Sequence, residues 1–387
     1  MSGEDVRVPV TVGVDASRNR SGGAKAHLIG LLSEGDPTKH GIQEVHVWAY
    51  RSLLDAIPER SWLVKHAPPD LEGGLWRQLW WQRYRLPAQL HRVGCSIVLN
   101  TDAGTVGDFG PAVTMSRDML SYEAGEMQRY GWGRSRLRLE VLRLVQSRSL
   151  RRARGVIFLT RYAGRVIQEC CGELENVAYI PHGLGDAFAN TVACEWPANR
   201  KEAIRALYVS NTAMYKHQWN VVRAIGMLRN ADHLISLELV GGGRGRAQQK
   251  LEAELNRTDP TRAFIEVVGS VPQTELPSYL ARAHLFVFAS SCENMPNTLI
   301  EAMASGLPIA CSDRGPMPEV LQDGGVYFDP EDPDSIAGAI ERIILDHRLR
   351  RRIACRAREL ASQYSWRRCA DETWAFISRT RKLEGAR

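Results

Sequence analysis

The 387-residue chain contains no uninterrupted apolar run near the ~18 residues that a membrane-spanning helix needs, which argues against a helical span. Its first residues, Met1-Ser-Gly-Glu-Asp-Val-Arg7, lack a basic region followed by an apolar core. The sequence therefore predicts a protein without a signal peptide that remains in the cytosol. The eight cysteines, Cys95, Cys170, Cys171, Cys194, Cys292, Cys311, Cys355 and Cys369, show no Cys-x-x-Cys spacing and no nearby histidine pairs, so they predict buried thiols in a reducing compartment and no structural metal. Cys292, beside Glu293, is a candidate for attack by thiol reagents, with packing as the plainer role. The run Leu237-Glu-Leu-Val-Gly-Gly-Gly-Arg-Gly245 lacks the third glycine of a strict dinucleotide fingerprint, because Arg246 stands there.

What is present has the size and rhythm of an α/β protein. The length exceeds the ~250–300 residues at which a single core usually stops growing, which predicts two domains. Each half alternates apolar runs with helical patterns, which predicts parallel sheets covered by helices on both faces. In the first half, strands are expected at Val8 to Val14, Glu44 to Ala49, Ser96 to Leu99, Ala112 to Met115 and Gly155 to Leu159. The last should be followed by a helix ending near Cys171, and by Val177 to Gly183, where proline and glycine turn the chain. The crossing between domains is expected at residues 183 to 200, with His182 there as either a cleft residue or a structural one. In the second half, Arg205 to Asn211 reads as a strand leading to a loop with Lys216, then a helix from Asn220 to Leu228.

Two glutamates carry most of the functional information. Glu293 and Glu301 stand eight positions apart in Ser291-Cys-Glu-Asn-Met-Pro-Asn-Thr-Leu-Ile-Glu-Ala-Met-Ala-Ser-Gly306, after the apolar run Leu285 to Ala289. The pattern reads as strand, polar loop and helix start, with Glu293 on the loop, Glu301 in the first helical turn, and the amides of Asn297 and Thr298 free to face an anion. Such amides can hold a diphosphate while the two carboxylates grip hydroxyls of a ribose and of a sugar. The plainer alternative is that Glu301 caps its helix and Glu293 is solvated.

The continuation Ala302-Met-Ala-Ser-Gly306-Leu-Pro308, then Gly315-Pro-Met-Pro-Glu319-Val-Leu and Gly324-Gly-Val-Tyr-Phe-Asp-Pro330, resembles retaining glycosyltransferase family 4, which carries Glu, seven residues, Glu, then Ala-Met-Ala-x-Gly-x-Pro. The resemblance runs along nearly the whole chain, densest from about 265 to 345 and thinnest from 50 to 150. It implies the GT-B fold: two Rossmann-like domains facing a cleft, an acceptor domain at 1–185, a nucleotide-sugar donor domain at 186–365, and a C-terminal helix at 366–387 crossing back to the first domain.

The resemblance also implies roles. Lys216 would neutralise the leaving diphosphate and Glu293 would orient the donor sugar, rather than attack it as a hydrolase nucleophile would. Donor contacts would come from Gly22, Gly23, Ser210, Asn211, Ser270, Val271, Asn294, Met295, Asn297, Thr298 and Glu301. The departing phosphate would serve as base. No cofactor and no metal are expected, because lysine and helix amides take the metal's place. The chain departs from the family twice. Where an arginine is expected it has Ser210 and Asn211, so the missing charge would come from Arg18, Arg20 or Arg244. Where a histidine is expected near the transferred sugar it has Ser116 or Arg117; Arg117 would contact sugar or phosphate, or pair with Asp118 or another acid.

Between Arg134 and Arg154 stand eight arginines and one acid, Glu140, interleaved with Leu137, Val141, Leu144 and Val145 at helical spacing. Such a helix, with Trp76, Trp80, Trp81 and Tyr84, suits an anionic membrane surface or a polyprenyl-diphosphate-linked acceptor; the alternative turns the apolar stripe to the core. The expected partners are a nucleotide sugar and a glycan or lipid-linked acceptor, in bacterial surface polysaccharide synthesis. Two other readings stay open. A sugar-nucleotide epimerase or phosphorylase of the same architecture would need an acid–base set or a pyridoxal lysine, and no such motif is found. A nucleic-acid binder would use the net charge of +6, but leaves the glutamate-bearing loop unexplained.

Overall fold

The computed structural model describes residues 10–199 and 201–383. Val8 and Pro9 of the expected first strand, and the start of the chain on which the leader reading rests, lie outside the described residues.

The chain forms two compact units. Unit 1 holds the described residues up to Tyr122, then Arg134–Gly183 and those from Ser365 onward; unit 2 holds Glu123–Gly133 and Leu184–Tyr364. Residues 123–133, which the sequence reading placed within the N-terminal domain, thus belong to unit 2. The reason is a set of polar bonds described below.

Unit 1 is built on a seven-stranded parallel sheet: β1 (Val10–Asp15), β2 (Ile42–Trp48), β3 (Leu63–His66), β4 (Ile97–Asn100), β5 (Ala112–Met115), β6 (Gly155–Phe158) and β7 (Val177–Tyr179), in the order β3-β2-β1-β4-β5-β6-β7. Unit 2 holds six parallel strands: β8 (Ile204–Val209), β9 (Ile235–Val240), β10 (Ile265–Gly269), β11 (Leu285–Phe288), β12 (Ile309–Ser312) and β13 (Val326–Phe328), in the order β10-β9-β8-β11-β12-β13. Parallel strands need crossover helices, and those helices cover both faces, so the central strands are shielded from water on both sides. Every residue of β4, β5, β6, β11 and β12 is buried.

The short β3 gave no clear sequence signal, because only four residues form it and the last three are partly exposed. The helix Trp366–Lys382 starts at the N-cap Ser365 and belongs to unit 1, where Trp374 is fully buried. Its entry depends on Gly183: a Cβ there would fall inside contact distance of the Trp366 backbone.

Strand order also fixes where a ligand can sit. Successive crossovers reverse direction between β1 and β4 in unit 1 and between β8 and β11 in unit 2. The loops leaving the C-terminal ends of those strands therefore splay apart and open a crevice within each sheet.

Candidate functional site

In unit 2 the two loops at the reversal are those that carry Lys216 and Glu293. β8 and β11 are neighbours, with Ala206 opposite Leu285 and Leu207 opposite Phe286, so residues 77 apart in sequence end at one edge. After β8 the chain makes a 3-10 turn over Met214–Lys216. His217 then takes the left-handed conformation (φ 46°) that lets helix Gln218–Asn230 start in a new direction. The Tyr208 hydroxyl donates to the Lys216 carbonyl at 2.6 Å, and the Ser291 amide donates to the Tyr215 carbonyl at 2.8 Å. These bonds bring the loops together, and the Lys216 ammonium pairs directly with a Glu293 carboxylate oxygen. Lys216 is buried, with its Nζ 5.4 Å from the centre of the Phe288 ring. A buried ion pair needs both partners, because either charge alone would lose its hydration without compensation.

Glu301 is the other carboxylate. Helix Asn297–Ala304 begins after Pro296, which offers no side-chain cap, and ends at Ser305 and Gly306, where φ is +75°. Glu301 is the fifth helical residue, so it lies in the second turn and not in the first. Gln273, on the loop after β10, donates to it at a long 3.5 Å. Burial pushes the Glu301 carboxyl up to about 8, and the Gln273 bond offsets this only in part.

The helix amides need one correction. The Asn297 amide donates to the Met295 carbonyl at 3.0 Å and is not available to an anion. Among the described residues the amides of Met295 and Thr298 have no protein acceptor, and the helix end beside them carries no side-chain cap. Asn294 and Met295 are buried beside them, and Cys292 is buried as well, which leaves its thiol in a packing role. None of the eight cysteines is in a disulfide, but Cys170 and Cys355 are exposed and Cys194 is half-buried, which corrects the expectation that all eight are buried.

Ser210 is buried and accepts from Gln218 Nε2 at 3.0 Å, whereas Asn211 is exposed. The Thr212 hydroxyl and Gln218 Oε1 are buried without a hydrogen-bond partner among the described residues. Ser270 is exposed and Val271 half-buried on the loop that carries Gln273. The run Gly241 to Gly243 has a packing role: Gly241 has φ 121°, and a Cβ there would collide with the Ser210 carbonyl. Of the three arginines considered for the missing charge, only the exposed Arg244 lies in unit 2. Arg18 donates to the Gly104 carbonyl and Arg20 to the Leu71 carbonyl, both in unit 1.

Sequence reading missed a polar chain behind Lys216. Segment 123–133 brings in Glu126, which accepts from the Ser291 hydroxyl at 2.6 Å; that hydroxyl lies 2.9 Å from His217 Nε2. Arg129 binds Glu126 at 2.9 Å and both oxygens of Glu331 at 2.7 and 3.0 Å. Burial, with help from Arg129, lowers His217 to about 4, so its ring is neutral at physiological pH. These partners are 165 and 202 positions apart, a separation no local pattern reveals.

Gly22 and Gly23 lie in unit 1, in the first turn of helix Gly22–Glu34, capped by Ser21, whose hydroxyl accepts from the Ala24 amide. Arg117, just beyond β5, is half-buried and does not pair with Asp118. It donates to Asn19 Oδ1 at 2.8 Å and stands 3.8 Å from Asp102, while its Nε and Nη1 have no acceptor among the described residues. Burial lowers the Arg117 pKa and raises that of Asp118, which accepts from the Leu120 amide. His182 is buried and stacks on His27 with ring centres 4.8 Å apart. Burial drives His27 well below its ordinary value. The apolar stripe of helix Arg134–Arg152 does not face the core: Leu137, Val141 and Leu144 are exposed, and Leu139 and Leu150 are buried in their place. No described helix is long and apolar enough to cross a membrane.

Comparison with known proteins bears on the fold and the family. Residues 196–360 match the family described as Glycosyl transferases group 1. The O-antigen chain mannosyltransferase B of Escherichia coli is 30% identical over 168 residues, which is 43% of this chain and 44% of that protein. The match thus spans less than half the length of that relative. Among solved structures, a sucrose-phosphate synthase from Thermosynechococcus elongatus superposes with a TM-score of 0.75 at 17% identity, over 98% of this chain and 100% of that one. Anabaena HepE, solved with UDP and glucose, gives a TM-score of 0.67 at 17% identity, over 97% and 100%. The fold is therefore the α/β GT-B architecture with two Rossmann-like units.

Proposed function

We propose, with the glycosyl transferases group 1 match of residues 196–360 as premise, that this protein is a retaining glycosyltransferase. It moves a sugar from a nucleoside diphosphate sugar to a hydroxyl of a glycan or lipid-linked acceptor. The observation that carries this reading is the grouping, within unit 2, of the Lys216–Glu293 pair, the Met295 and Thr298 amides and the buried Glu301.

Each group has a task in such a transfer. As the anomeric bond breaks, negative charge builds on the diphosphate, and Lys216 with the two amides stabilises it where water is excluded. A phosphate arriving at Lys216 competes with Glu293 for the ammonium and frees that carboxylate to accept from sugar hydroxyls. Glu301 accepts from the ribose hydroxyls, and those donors bring its raised pKa back down. Ser270 and Val271 meet the base, and the leaving phosphate takes the acceptor proton. Lysine and amides do the electrostatic work, so the reading requires no metal. Unit 1 takes the acceptor, with Arg117 directed to an oxygen-rich group of sugar or phosphate. An O-antigen type of surface polysaccharide suits this reading, given the mannosyltransferase relative, and the basic segment 134–154 would bring the protein to an anionic membrane surface.

The test is turnover of a panel of nucleotide sugars with glycan and lipid-linked acceptors, with product anomers assigned by NMR. A new glycoside of unchanged anomeric configuration is the expected result. A free epimer or sugar phosphate would overturn it, and so would unchanged turnover in Glu293→Ala.

A further inference from the structure

Two helices of unit 1 present apolar side chains outward, and their basic ends meet at one cavity. On helix Arg134–Arg152, Leu137, Val141, Leu144, Arg148 and Arg152 follow one another at three- and four-residue steps and so form a single stripe. Leu137 and Leu144 are each 66% exposed. On helix Leu75–Tyr84, Trp76, Trp80 and Tyr84 follow the same rule, with Trp76 84% exposed and Arg83 on the same face. Only Trp81 of that aromatic group is buried. Asp108 ties the two helices together by accepting from Arg83 and Arg152.

Around this tie lies a cavity of about 540 Å³. Its charged lining consists of Arg83, Arg148, Arg152, Arg154 and the single carboxylate Asp108, an excess of three positive charges. Phe109 and Val145 supply an apolar wall. Arg148 has no carboxylate partner among the described residues. Water offers no reason to expose indole and leucine side chains beside arginines, whereas a bilayer interface satisfies both: rings and leucines enter the acyl boundary while guanidinium groups meet phosphates.

We propose that this face docks on a bilayer containing anionic phospholipid and that the arginine cavity seats one lipid phosphate. The inference deepens the lipid-linked acceptor reading above and rests on it for its purpose, but its test needs no sugar transfer. The purified full chain is sedimented with vesicles of phosphatidylglycerol and phosphatidylcholine, and with vesicles of phosphatidylcholine alone. Binding is expected to the mixed vesicles, with release by salt. Arg148→Glu removes two units of favourable charge at the surface and is expected to weaken binding about 30-fold, from roughly fivefold per basic residue. Arg223→Glu makes the same change in net charge on an exposed site of unit 2 and should leave binding within about twofold. The double variant Leu137→Ser, Leu144→Ser should weaken binding on the order of tenfold without loss of thermal stability.

Equal binding to both vesicle types, or equal weakening by Arg148→Glu and Arg223→Glu, would overturn the proposal. Titration with inorganic phosphate separates the source: phosphate binding without vesicle binding would give the cavity to a free anion and sink the lipid assignment. A variant that loses vesicles yet still turns over a soluble acceptor leaves the transferase reading intact. Loss of turnover with vesicle binding retained would do the reverse.

Discussion

Replacing Glu301 by glutamine should make the ligand-free protein more stable while weakening its hold on the donor. Burial raises the Glu301 carboxyl from its ordinary 4.5 to about 8. Between those values the unfolded chain releases a proton that the folded protein keeps, so stability falls as pH rises from about 4.5 and levels off above about 8. At about 1.36 kcal/mol for each pH unit, the penalty is about 1.4 kcal/mol at pH 5.5 and roughly 4 kcal/mol near pH 7.5. Glutamine has the same shape without the charge, so Glu301→Gln should exceed the parent in stability by a margin that widens with pH over this range. Urea unfolding of both proteins at pH 5.5, 6.5, 7.5 and 8.5 gives that margin directly. Saturating nucleoside diphosphate should narrow it, because ligand hydroxyls stabilise the carboxylate and have less to offer an amide. A margin that stays flat across the four pH values would refute the reasoning, since it would mean that Glu301 titrates as an ordinary surface carboxyl.

Further expectations follow from the same geometry. Lys216→Ala leaves Glu293 as a half-buried carboxylate without its cation; it should cost about 3 kcal/mol of stability by urea titration and lower transfer about 100- to 1000-fold in a single-turnover assay. His217, depressed to about 4, does not take the proton that the unfolded chain takes below 6.5; stability should fall by up to roughly 3 kcal/mol as pH drops from 6.5 to 4, and His217→Gln should flatten that part of the profile. Gly241→Ala forces a side chain onto the Ser210 carbonyl at φ 121°; it should lower the melting temperature and, by displacing the loops that carry Ser210 and Ser270, weaken donor binding more than Gly22→Ala, where a Cβ meets nothing within 4 Å. Glu126→Gln keeps the hydrogen-bonding shape but removes the charge facing Arg129; it should shift the apparent pKa of His217, measured by NMR, further down.

The α/β class and nearly every strand were legible before folding, because parallel strands buried on both faces are written as short apolar runs whose pattern needs no partner to be seen. Glu293 and Glu301 stood out by their spacing after a recognisable strand, and the resemblance to glycosyltransferase family 4 pointed to Lys216. How those residues act on one another follows from contacts between distant segments. That Lys216 pairs with Glu293 depends on β8 lying beside β11, and the burial of Glu301, with Gln273 of the loop after β10 within reach, depends on packing between segments distant in sequence. The fate of the helix amides also had to be seen, because a local turn occupies Asn297 and leaves Thr298 open. The Glu126–Ser291–His217 chain and the outward stripe of helix 134–152 were beyond the sequence for a related reason. A helical period states that one face is apolar, but which face meets the core is set by neighbours that arrive from distant parts of the chain.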